Sequence, residues 1–69
     1  MFQIGKGLRA AAERAVMNMA ADGAAMEQFE HGTTTYVVSK EAVNTPNYRY
    51  LATLEIGTDI LHLYLVNNE

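Results

Sequence analysis

The stretch LEIGTDILHLYLV, residues 54–66, decides how the C-terminal half of the chain is read. Apolar residues alternate on both sides of Gly57-Thr58, which predicts two strands joined by a two-residue loop. Glycine at the first central position suits a type II′ turn, where φ must be positive. Closing the hairpin on that loop sets Leu54 opposite Leu61, Ala52 opposite Leu63 and Tyr50 opposite Leu65, with Ile56 beside the turn. Those residues make one apolar face. The other face sets Arg49 against Val66, Leu51 against Tyr64, Thr53 against His62 and Glu55 against Ile60. A slip of one residue would mix the two sets, so the pattern itself supports the turn.

Working outward, the predicted strands are 48–56 and 59–67, preceded by a loop, EAVNTPN (41–47). Asn44, Pro46 and Asn47 are turn formers, and Pro46 cannot donate to a ladder. TTTYVVSK (33–40) has the period of a strand, with Tyr36 and Val38 pointing inward. Residues 6–31 read as one helix. Its stripe of Ile4, Leu8, Ala11/Ala12, Ala15, Met19, Gly23, Met26 and Phe29 keeps the i, i+3/i+4 rhythm. A kink at Asp22-Gly23 is the alternative; the predicted stop is His31 in the last turn with Gly32 as a left-handed cap. The expected architecture is α+β, a single two-layer domain over residues 1–69. One N-terminal helix packs on a three-stranded antiparallel sheet in the order α-β-β-β.

A chain of 69 residues is near the size at which a single core becomes marginal. Cysteine is absent, which removes disulfides and thiolate metal sites and leaves oligomerisation as the staple. One helix can cover only one sheet face, so the apolar residues of the second face need another explanation. Leu51, Ile60, His62, Tyr64 and Val66 form the candidate partner-binding surface, with Tyr64 as its anchor. On the helix, Ala10, Met17, Ala20, Ala21 and Ala24 lie opposite the core stripe at near-heptad spacing, and are the candidate dimer interface. Lys6, Arg9 and Arg14 occupy one half of the expected helix and Asp22, Glu27 and Glu30 the other. Both clusters oppose the helix dipole. An antiparallel twin helix would match them across a two-fold axis.

Catalytic chemistry finds no constellation. The two histidines, His31 and His62, have no companions at metal-ligand spacing, and the single serine, Ser39, has no histidine near it in sequence. Gly5-Lys6-Gly7 lacks the strand, spacing and hydroxyl of a phosphate loop. No catalytic activity, cofactor or metal is expected. The net charge of −3 argues against nucleic acid, whose binding needs a clustered basic surface. No apolar run approaches the roughly 20 residues of a membrane span. Arg9, Glu13 and Arg14 interrupt any signal-peptide core, so a cytoplasmic location is the expectation.

The expected function is therefore a non-catalytic, homodimeric protein-binding module. It would act as a small inhibitor or accessory protein, of the kind phages encode, by occupying a surface of a larger protein. A structural assembly subunit, and a small-ligand or nucleotide-binding protein with its pocket at a dimer interface, are the alternatives.

Overall fold

The computed structural model describes residues 5–67, so Ile4, at the head of the expected stripe, lies outside the described residues. Helix α1, Lys6–Asp22, buries Leu8, Ala11, Ala12, Ala15, Val16 and Met19. These positions recur every three or four residues, and alanine at the first three turns favours the helix while permitting close packing. No side chain caps its start, no acid lies in its first turn and no base in its last. Its stability therefore comes from the buried face. Gly23 ends it in the left-handed region, at φ 67° and ψ 27°. The Ala24 N–H donates to Met19 O across this cap at 2.9 Å, the six-to-one bond of a Schellman ending.

The helix thus stops nine residues short of the predicted end at residue 31. Residues Met26–His31 form strand β1, which returns antiparallel along β2, Thr34–Ser39. Met26 and Phe29 satisfy a helical stripe by their spacing, but MEQFEH also satisfies period two, with Glu27 and Phe29 on one face. Two glycines decide between the periods. Gly23 takes the helix cap, and Gly32, at φ 67°, opens a two-residue turn that places His31 opposite Thr34. The left-handed conformation expected at Gly32 is present, but it serves a hairpin.

Strands β3, Tyr48–Ile56, and β4, Asp59–Val66, form the second hairpin around Gly57-Thr58. Gly57 has φ 63° and, among the described residues, no non-glycine residue has positive φ, so the loop carries the φ signs of a type II′ turn. The predicted register holds from Ile56↔Asp59 to Ala52↔Leu63. Beyond that a bulge at Leu51 shifts it, so that Tyr50 faces Tyr64 and Arg49 faces Leu65. An extra residue on one strand reverses the sidedness of everything beyond it. Leu51 accordingly packs against the helix-side core, and Tyr50 moves to the opposite face.

The chain is α+β, with one helix packed on a four-stranded antiparallel sheet in the order β1-β2-β4-β3. The fourth strand, β1, is built from residues assigned above to the helix. Val38, Leu54, Leu61 and Leu63 meet Leu8, Ala12, Ala15, Val16 and Met19 in the core. Phe29 and Tyr36 close one side of it as a stacked pair with centroids 5.6 Å apart.

Candidate interaction surfaces

The strand order gives the connection after β2 an unusual task. β2 and β3 both run antiparallel to β4 and flank it, so they are parallel to each other. The chain from Lys40 to Asn47 must therefore return along the sheet, crossing β4. It crosses the face away from the helix. Ser39, buried in the outer face, begins it: its hydroxyl donates to Glu41 O at 2.6 Å and accepts from the Glu41 N–H at 3.2 Å. Midway, the Val43 N–H donates to the Tyr64 hydroxyl at 2.8 Å. A turn with the Tyr48 N–H donating to Thr45 O at 3.1 Å then feeds β3.

This crossover answers what covers the second face. Val37 and Tyr64, neighbours on β2 and β4, are 2% and 3% exposed although neither belongs to the helix-side core. Tyr48 and Tyr50 complete the cover. Their ring centroids lie 6.1 Å and 5.9 Å from that of Tyr64, the Tyr50 pair edge-to-face. Tyr64, expected as the accessible anchor of a partner-binding surface, is thus a buried packing residue. Leu51 leaves that surface altogether, because the bulge turns it to the helix side. Ile60 remains exposed at 58%, while His62 and Val66 are half-buried.

Among the described residues, the aromatic ring that faces solvent is Tyr50, at 55% exposure. Its hydroxyl shares a 2.6 Å hydrogen bond with Thr53 Oγ1, which lies 3.4 Å from His62 Nδ1. The outer face of the β3–β4 hairpin therefore presents Tyr50, Thr53, His62 and Ile60 in sequence along the strands. Strict alternation predicts Tyr50 in the core; a bulge that nothing in YRYLA marks puts it on this face instead.

On the helix, Ala10, Met17, Ala20 and Ala21 are exposed as expected, with Met17 at 71%. Ala24 lies beyond the helix end and is half-buried. Of the acidic residues expected to match Lys6, Arg9 and Arg14 across an antiparallel twin helix, only Asp22 lies on α1, at its last position; Glu27 and Glu30 belong to β1. Arg9 is also engaged. It pairs with Glu13 at 3.2 Å and donates from Nη2 to Glu55 O at 2.8 Å, tying the helix to β3. His31 lies under the first turn of the helix, where a Cβ on Gly7 would sit 3.2 Å from its ring.

Among the described residues no three His, Asp or Glu side chains gather as a metal site, and no enclosed pocket forms. No helix of the described residues is long and apolar enough to cross a membrane. No family model, curated protein or solved structure matches the chain.

Proposed function

We propose that this chain is a non-catalytic protein-binding module, an inhibitor or accessory protein that engages a larger protein through the outer face of the β3–β4 hairpin. The observation that supports this reading is the state of Tyr50. Its ring is more than half exposed, yet it rests edge-on against the buried Tyr64 and its hydroxyl is held by Thr53. An aromatic side chain ordered before binding loses little rotamer entropy when a partner covers it. Ile60, on the same face, adds apolar area, and Thr53 and His62 supply polar contacts between them.

Affinity capture with variant baits tests the reading. A partner retained by the parent and by Met17→Asp, but lost with Ile60→Asp and weakened by Tyr50→Ala, supports it. Retention by Ile60→Asp together with loss on Met17→Asp moves the binding surface to the helix and ends it. The assembly-subunit reading draws on the two opposite layers both exposing a large apolar side chain, Met17 on one and Ile60 on the other. Light scattering that grows without limit as concentration rises would favour it.

A further inference from the structure

The two edges of the sheet are not alike. On β3 the outward backbone groups include those of Glu55, since Leu54 and Ile56 belong to the pairs that bond inward to β4. The Glu55 carbonyl is already taken by the Arg9 guanidinium, and the Leu51 bulge interrupts the strand further along. Both features blunt an edge against further pairing. β1 carries neither. The Lys40 N–H to Ala25 O bond, at 2.9 Å, sets the alternation of its ladder with β2. Glu27, Phe29 and His31 bond inward, so Met26, Gln28 and Glu30 turn their N–H and C=O groups outward. No hydrogen bond among the described residues reaches those groups.

We propose that the β1 edge pairs with β1 of a second copy, antiparallel about a two-fold axis at Phe29, joining the two sheets into one. Alternation and charge select this register. Outward residues must oppose outward residues, which requires the axis to pass through a residue and excludes any axis between residues. An axis at Glu27 or Glu30 sets two carboxylates face to face, and one at Gln28 sets each Glu27 against Phe29. With Phe29 on the axis, each Glu27 faces His31 of the second copy, and each Gln28 faces Glu30. The Phe29 rings, half-buried on the helix side, meet at a non-hydrogen-bonded position, where side chains approach most closely. The register matches every charge on the strand with an opposite or neutral group.

This pairing stands apart from target binding. It replaces the helix seam as the dimer interface and leaves the outer face of both hairpins on one side of a continuous sheet. A dimeric module would then present two copies of its Tyr50 surface to a target, and gain avidity wherever that target is repeated.

Sedimentation equilibrium and cross-linking test the proposal. The parent chain should be a discrete dimer. Gln28→Pro removes an outward N–H while sparing the β2 ladder, and should give folded monomers by circular dichroism. Glu27→Lys should weaken dimerisation about tenfold, because an ammonium cannot accept the ring N–H of the facing His31 as the carboxylate does, and adding His31→Glu should restore it. In this cysteine-free chain, Glu27→Cys combined with His31→Cys should form an intermolecular disulfide that neither single variant forms. A parent chain that is monomeric at every concentration overturns the proposal. So does a dimer that survives Gln28→Pro and the Glu27 reversal but dissociates with Ala21→Glu, which would return the interface to the helix seam. If Gln28→Pro fails to fold, the charge reversal and the disulfide decide the matter by themselves.

Discussion

The Val43 N–H and the Tyr64 hydroxyl, 2.8 Å apart, join the crossover connection to the centre of the sheet's outer face. This bond anchors the segment that, with the Tyr48 and Tyr50 rings, leaves Tyr64 only 3% exposed on the side of the sheet away from the helix. The hydroxyl, which a phenylalanine would lack, satisfies a backbone donor in a segment without regular ladder partners.

Tyr64→Phe should therefore destabilise the domain by about 1–2 kcal/mol, the cost of leaving a partly buried N–H without its acceptor. The effect should be local before it is global. Hydrogen exchange at the Val43 amide should quicken more than exchange in the β2–β4 ladder, and uniform quickening would contradict the crossover's role as a separately opening segment.

Leu54→Ala should cost about 2–5 kcal/mol, as large-to-small changes in packed cores do. Leu54 is buried in the helix-side core beside Leu61 and Leu63. In so small a domain the melting transition should fall by many degrees. A shift of only a degree or two would place Leu54 outside the core.

Gly57→Val should be far less tolerated than Thr58→Asn. Apart from its chain neighbours, nothing lies within 4 Å of where a Cβ on Gly57 would sit, so crowding is not the reason. The cost arises from φ 63°, which strains a β-branched residue by about 1–3 kcal/mol. Chemical denaturation of both variants checks this, and equal midpoints would mean that the loop can adopt another turn.

Arg9→Ala should leave the helix largely intact and release the Glu55 carbonyl at the β3 edge. Light scattering at high concentration should then detect species larger than the parent's, because a capped edge has been opened. A distribution indistinguishable from the parent's would show that the Leu51 bulge protects this edge unaided.

The chain's local signals determined a good part of this fold. Alternation around Gly57-Thr58 specified the second hairpin, its turn and its register as far as Ala52↔Leu63, because a period of two leaves no freedom once one turn is placed. The buried stripe from Leu8 to Met19 specified the face of the helix that packs on the sheet. The candidate surfaces were less legible. Residues 26–31 suit either period, and the choice rests on Gly23 and Gly32 adopting left-handed backbone at both ends, with β2 available to pair. The bulge at Leu51 exchanges the faces of Tyr50 and Leu51, yet depends on non-local packing that no neighbouring residue encodes. The strand order decided the rest. Only when β4 lies between β2 and β3 must residues 40–47 cross the sheet; with the helix on one face they cross the other, burying Tyr64 and leaving Tyr50 in the solvent. Local periodicity reports which residues share a face of an element; what lies above that face depends on chain connectivity in three dimensions.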